Sequence, residues 1–589
     1  VVSSGGVAVA TTILDGGRAA IYADGSAVSA TVSSGGVEDV LALGTTTATL
    51  VSAGGEEYVS SGGDARKSTV RSGGVSYILS GGRSVDATVS GGGAQYVRAG
   101  GVASGAALLS GGKQNVSSGG VADLSSVRSG GRQYVSSGGL ASATTVSSGG
   151  AQLVLAAGSA SGTLLAGGEE VVSSGGRAVS ATASSGGVAD VLASGTTTAT
   201  LVSAGGQERI SSGGVASKST VRSGGVSYVL SGGVASGTTI SNGGRVYLSS
   251  GARAMGAVVS SGGAVYVLAA TTTGTLVDDG GEEIVSSGGV TSGTTLVDGG
   301  VAYIRASGEA TGTLVSSGGK QLVSSGGLVI ATDVLSGGLD YIDSGGVASG
   351  TSVASHGRET ISAGGEVRGL TVSAGGVVVD DGEVRIAGAA TLSGVLSGSG
   401  SIVQTEAGDL LLSGSDAAFG GSAVISGGTI ELATSGALGT GSVDFVEPAT
   451  GSAVLQIDAA DAPAAGGTFA NVISNFSGAN EDIDLRSIAY VSGASAKVTS
   501  GVLVLSDGGK TYKFDLAGSI AGAYPVLSDG HGGTLIDPTA VDPKVLAFTH
   551  ATAAFAPSNA ANAALVSSTS PTSETPFLHA TASATAGRF

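Results

Sequence analysis

The sequence predicts an all-β solenoid: a parallel β-helix of about twenty nineteen-residue coils, followed by a C-terminal β cap module. Three observations predict it. The first is a ladder of branched aliphatic residues nineteen apart: Val2, Ile21, Val40, Val59, Ile78, Val97, Val116, Val135 and Val154. It slips by one residue to Val172, runs to Val267, slips again to Val285 and ends at Ile361. The second is a parallel ladder about eleven residues behind, from Ile13, Val32, Val51, Val70 and Val89 through Val146, Leu164, Ala183 and Val202 to Val372. The third is a Gly or Gly-Gly some three residues after most ladder positions, as in Val59-Ser-Ser-Gly-Gly. A fixed period near twenty is the mark of stacked supersecondary units, none of which buries a core alone. A helix is excluded, because each glycine would cost it about 1 kcal/mol. Each coil is read as two extended segments pinned by one inward aliphatic apiece, with glycine corners between them. Twenty rungs at about 4.8 Å give a rod on the order of 95 Å long.

Residues 1–376 form the array. Ser33–Leu79 recurs almost intact as Ser184–Leu230, and the Gly-Gly-Glu-Glu pattern recurs at Glu56-Glu57, Glu169-Glu170 and Glu282-Glu283, so the rod has grown by duplication. From 377 to 447 the period decays, starting where the nineteen-step from Ile361 lands on Asp380; alternating aliphatics between Gly/Ser runs read as irregular coils of the same solenoid. From 448 to 540 aromatics and Asp/Asn concentrate. Val502–Leu516 reads as a hairpin about Asp507-Gly508-Gly509, within a compact β module that covers the open end of the rod. The stretch 541–589 is Ala/Ser/Thr-rich and aperiodic, and is read as a disordered tail.

Composition bounds the function. Of 589 residues, 26 are basic and 44 acidic, for a net charge of −18. There is no basic stripe for nucleic acid. Without cysteine there is neither a disulfide framework nor a thiolate metal site. No apolar run is long enough for a transmembrane helix. The chain begins inside a repeat without Met and is read as a fragment or a processed form.

A tyrosine row keeps the same step: Tyr58, Tyr77, Tyr96, Tyr134, Tyr228, Tyr247 and Tyr266. It precedes the first ladder by one residue, so alternation turns it outward, in a column shared with Asp39, Asn115, Asp190 and Arg209. Two readings stand: an aromatic stack that stiffens one sheet, or a stripe that binds sugar or a partner.

The array resembles the strand-loop-strand repeats of AIDA-type bacterial autotransporter passenger domains. Units such as Gly119-Gly-Val-Ala-Asp-Leu-Ser-Ser-Val-Arg-Ser-Gly-Gly-Arg-Gln-Tyr-Val-Ser-Ser carry the likeness over about 370 residues. Gly408–Phe445 is similar to a passenger-associated transport repeat, through Leu-Leu-Leu-Ser-Gly-Ser, Ser-Gly-Gly-Thr-Ile-Glu-Leu and Ser-Gly-Ala-Leu-Gly. The resemblance implies a right-handed parallel β-helix at the bacterial surface, associated with the outer membrane. It implies work in adhesion, self-association or biofilm, with surface glycans or proteins, or other copies, as partners. It also implies a heptosyltransferase that modifies serine. The Ser-Ser-Gly-Gly corners match that acceptor context, and the first serine of each pair is favoured because alternation turns it outward: Ser60, Ser117, Ser136 and Ser211. Otherwise these serines only bond the backbone at turns. The family ends in a membrane β-barrel, and no series of ten-residue alternating strands follows residue 447. Phe589 is similar to an outer-membrane protein terminus, but the segment before it lacks the alternating aromatic strand. The export route is left between a lost barrel and another exporter.

Parallel β-helices also carry polysaccharide-degrading enzymes, and a structural surface coat is a third use. Enzymes need a unique acid cluster or a metal. Here the acid pairs recur by duplication, and alternation puts one carboxyl of each pair, Asp380-Asp381 included, on each face. His356, His531, His550 and His579 do not cluster. Asp482, Asp484 and Asp529 are distant echoes of a calcium-binding turn, and the Thr-Thr-Thr runs at 45, 196 and 271 form no continuous row. The expectation is a non-enzymatic adhesin without cofactor or metal.

Overall fold

A computed structural model describes residues 1–538 except 479, 519 and 520. The tail from 541, with His550, His579 and Phe589, lies outside the described residues. Among those described there is no helix. The chain winds into a parallel β-solenoid of about 23 turns.

One coil is made of Glu56–Val59, Asp64–Arg66 and Thr69–Val70, and the next begins at Val75. Each strand pairs in parallel with its counterpart one coil on: Tyr58 with Tyr77, Ala65 with Ser84, Val70 with Val89. The coil therefore has three walls where the sequence promised two segments. The middle wall escaped notice because its inward residues are small: Ala27, Thr46, Ala65, Ser84, Ala103 and Ala122 are all buried. A methyl or hydroxyl does not stand out against a glycine- and serine-rich background, whereas a β-branched ladder does.

The two aliphatic ladders line the other walls, with one correction. Leu165 is the inward residue opposite Val146, at 0% exposure, while Leu164 is 41% exposed. The residue lost at the first slip is missing from the corner at Gly167-Gly168, after Leu165, so the second ladder does not shift until Ala183. Coils shorten at corners because no strand pairing is broken there.

The corners explain the glycine spacing. At Val59-Ser60-Ser61-Gly62-Gly63 the chain turns through left-handed backbone at Ser61 (φ 50°) and Gly62 (φ 87°). Gly63 then passes so close to the previous coil that a Cβ would stand 2.1 Å from the Val40 carbonyl oxygen. Corner amides bridge coils as well: Ser61 N–H donates to the Ser80 carbonyl at 2.8 Å. Another corner column is left-handed throughout but only partly glycine, with Gly105 (φ 71°) next to Leu124 (φ 53°). Leu124 is 58% exposed and has little packing to lose. A non-glycine residue in this conformation costs about 1–2 kcal/mol, more than the added chain entropy of glycine. Leu124→Gly is expected to stabilise the rod by about 0.5–1 kcal/mol, read as a higher urea midpoint.

The boundary drawn at 447 falls inside the parallel ladders. Gly428–Leu432 pairs with Ala453–Ile457, and that strand with Glu481–Leu485, all parallel. Direction reverses only afterwards. Ser495–Thr499, Val502–Asp507, Lys510–Ala517 and Gly522–Tyr524 form an antiparallel sheet. Its hairpin turns at Gly508 and Gly509, both at positive φ as a two-residue turn of this hand requires. The module joins the solenoid where Ile473 pairs with Leu516 and Ile483 with Ile536. Large rings fill this end, with Phe445 5.1 Å from Phe476, and Phe476 5.7 Å from Tyr524.

Candidate functional surface and internal polar column

Alternation along Glu56-Glu57-Tyr58-Val59 sends Glu57 and Val59 inward and Glu56 and Tyr58 outward. In-register stacking turns this into columns. Tyr58, Tyr77 and Tyr96 form one ring stack, with centroids 4.8 and 5.3 Å apart and planes within 16°. Tyr228, Tyr247 and Tyr266 form a second, at 5.6 and 4.6 Å. Tyr134 lies in the same column between Asn115 and Leu153, outside both stacks. Burial, and a hydrogen bond donated to Glu56 at 2.8 Å, push the Tyr58 phenol up to about 12. Arg98 lies 5.0 Å over the Tyr96 ring. Asp39 is ion-paired with Arg18, and Asp190 lies 3.9 Å from Arg209.

The favoured serines, Ser60, Ser117, Ser136 and Ser211, are half-buried, while the second of each pair, Ser61, Ser118, Ser137 and Ser212, is exposed. The first serine still belongs to the ladder: Ser60 N–H donates to Val40 and Ser136 N–H to Val116, at 3.0 Å each. The second sits at the tip of the corner. Exposure thus ranks the second serine above the first.

Sequence reasoning missed a column inside the rod. Two residues before each inward aliphatic stands another inward residue, and many of these are polar: Glu38, Glu57, Ser76, Gln95, Gln114, Gln133, Gln152, Glu170, Glu208, Glu283, Gln321, Asp340 and Glu359, all buried. The glutamines form an amide ladder. Gln114 donates to Gln95 at 2.8 Å, Gln133 to Gln114 at 2.7 Å and Gln152 to Gln133 at 2.6 Å, with hydroxyls of Ser125, Thr144 and Thr163 donating from another wall. Glu57 accepts from Ser68 and Ser76, both at 2.8 Å, and Glu283 from Thr272, Thr291 and Thr294. Neither oxygen of Glu170 or Glu359 has a hydrogen-bond partner; Thr351 faces Glu359 without closing one. Burial pushes these carboxyls up, Glu38 to about 8, Glu170, Asp340 and Asp380 to about 7, and Glu359 well above its ordinary value, helped by Asp340 and Asp380. The signal was present: Glu57 shares a face with Val59 by simple alternation.

The acid pairs thus divide between faces, Asp380 buried and Asp381 exposed. His356 lies at an exposed corner beside Ser355. Asp529 accepts from the amides of His531 and Gly533, closing its own turn, and Asp484 binds Arg486 at 2.9 Å. Among the described residues no three His, Asp or Glu side chains converge on a metal-sized site, and no helix is long and apolar enough to cross a membrane.

Residues 93–150 match a family model described as an adhesin of the bacterial autotransporter system, probable stalk. No curated protein matches the chain. Among solved structures, a crystal structure of a TibC-catalysed hyper-glycosylated TibA fragment is 32% identical. The match covers 57% of this chain and 96% of the fragment, at a TM-score of 0.31.

Proposed function

Since the chain belongs to the AIDA-type autotransporter adhesins and is an adhesin-like passenger, we propose that it is a display rod whose contact face is the tyrosine-bearing sheet and whose corners carry sugar. The observation that carries this reading is the repetition of a three-ring stack on one outward face. Half-exposed aromatics on a rigid sheet give contact area without ordering cost. The module at 495–536 serves as the cap, and the passenger stands at the cell surface. The proposed acceptors are the corner serines, with exposed Ser61, Ser118, Ser137 and Ser212 ahead of Ser60, Ser117, Ser136 and Ser211. The modifying enzyme is a sugar transferase of the kind named for the TibA fragment, a heptosyltransferase by the family's habit.

Two measurements test the reading together. Beads coated with the chain are expected to bind a cell layer or one another well above bare beads. The chain from its native host is expected to show regular sugar increments in intact mass, mapping to corner peptides. Binding no better than bare beads would overturn the adhesin reading, and an unmodified mass from a host that carries the transferase would overturn the acceptor assignment.

A further inference from the structure

The hydrogen-bonded glutamates of the polar column follow a rule of spacing. Each accepts from a hydroxyl eleven residues on, from another wall, and some also from one nineteen residues on, in the next coil. Glu57 has Ser68 and Ser76, both at 2.8 Å, and Glu208 has Ser219 and Ser227 at 2.9 and 3.0 Å. Glu170 has Ala181 and Ala189 in those two places, and neither of its oxygens has a partner although the side chain is fully buried. Glu359 is also unpartnered, but there Leu370 and Val378 fill the two places. Around Glu170 the replacements are small. Its coil turns Ala178, Ala181 and Ala183 inward, where the coil of Glu57 has Ala65, Ser68 and Val70. With Ala189 standing for Ser76, this part of the core has four fewer non-hydrogen atoms. That is room on the order of one ion with a water.

The duplicated copy is an internal control. Ala189 stands where the first copy has Glu38, and Thr197 and Thr200 where it has Thr46 and Thr49. Thr49 donates to Glu38 at 3.0 Å. Thr200, equally buried, has no such partner, and Thr197 has none either. Both hydroxyls face Glu208, one coil beyond Ala189, without closing a bond. The surface is close by. The corner before Glu170 is the shortened one at Gly167-Gly168, and a groove of about 390 Å³ runs over it. Glu169 and Val188 line this groove outside, and the next residue of each strand, Glu170 and Ala189, lies inside. We infer that the space beside Ala189 is a cation site, in which a calcium-like divalent ion that enters past the exposed Glu169 carboxylate is held by Glu170, Thr197, Thr200 and Glu208. These ligands come from three successive coils and offer oxygen alone, the donor set such ions take, with water completing the shell. The charges agree as well. Two carboxylates balance a divalent ion in a core where neither stays ionised unpaired.

The test uses the whole chain, stripped of metal and held at pH 8, above the value of about 7 to which burial pushes Glu170. Two variants close the site and keep the fold. Glu170→Gln installs the residue native to this column at 95, 114, 133 and 152. Ala181→Ser with Ala189→Ser supplies the two hydroxyls that satisfy Glu57 and Glu208. In equilibrium dialysis against calcium at about 1 mM, the parent is expected to hold one ion per chain more than either variant. Taking the difference removes the ions gathered by surface acids. At constant ionic strength, calcium is expected to raise the urea midpoint of the parent, with half of the rise near about 0.1–1 mM, the range of extracellular calcium modules. Both variants, folded by circular dichroism, are expected to stay nearly unmoved. Equal ion counts in parent and variants would overturn the site. So would a midpoint that calcium raises equally in all three proteins, or in none.

Discussion

Val135→Asp breaks the rod, whereas Tyr134→Asp leaves its melting behaviour nearly unchanged. The residues are adjacent and the substitutions identical in chemistry, so the difference reports only which way each points. Val135 is fully buried and stacked between Val116 and Val154. An aspartate there either carries an unpaired charge into the core or takes up a proton and leaves its carboxyl unsatisfied, at a cost of about 4 kcal/mol or more. In a solenoid, stability is a sum over coils and their interfaces, and a ruined coil weakens both of its neighbours. The expected result is a second, low-temperature unfolding transition for Val135→Asp. Tyr134→Asp should melt within a few degrees of the parent. Indistinguishable melts would mean that inside and outside are exchanged.

The rod is expected to be most stable in mild acid and to weaken as pH rises, opposite to the acid lability usual for proteins with ion-paired carboxylates. Carboxyls titrate near 4 in an unfolded chain. In the folded rod burial raises Glu38 to about 8 and Glu170, Asp340 and Asp380 to about 7. The folded state therefore holds these protons more tightly, and the stability they contribute is fully present below about pH 4, declines above it, and is lost by about pH 8. Every tenfold gain in proton affinity on folding corresponds to about 1.4 kcal/mol, so several such residues make a loss of several kcal/mol. Glutamine is the natural occupant of the same column at 95, 114, 133, 152 and 321, which makes Glu→Gln a mild replacement. Glu38→Gln combined with Glu359→Gln should flatten the profile and raise the urea midpoint at pH 8.5 while changing it little at pH 4.5. A parent midpoint that climbs with pH would show that these groups are ionised in the fold.

What was legible in the sequence follows from residue chemistry. Val59, Val70 and their ladder mates were readable because a β-branched residue every nineteen positions has few explanations other than an inward row. Ala65 and Ser84 line a wall just as buried, but small side chains announce no direction, so one strand per coil went unseen. Leu164 was preferred to Leu165 because the slip of period was placed before the strand rather than in its corner. Alternation sent one acid of Glu56-Glu57 to each face, yet the buried row of Gln95 to Gln152 went unrecognised, since polar residues are read as exposed until partners are found for them. Those partners, Ser125, Thr144 and Thr163, lie eleven residues on, on another wall, and only the closed coil brings them within reach. The preference for Ser60 over Ser61 came from strand alternation, which stops applying once the chain enters a left-handed corner.

The uneven distribution of the core sets a direction for assembly. From Val191 to Ile536 the buried apolar side chains form one continuous cluster, ending in Phe419, Phe445, Phe476 and Phe514. Before that, the buried apolar side chains fall into three smaller clusters. A coil of Val, Ala and Gln gains little until an edge is there to receive it, whereas the aromatic end holds itself together. The aromatic C-terminal end is therefore expected to act as a seed, with the remaining coils added as growth on its face. Each added coil closes only nineteen residues of chain against a template already in register, so the entropic cost of closure is met in small, equal steps. On that expectation the rod resembles a one-dimensional crystal, lengthened from one end and fraying first at the end farthest from its seed.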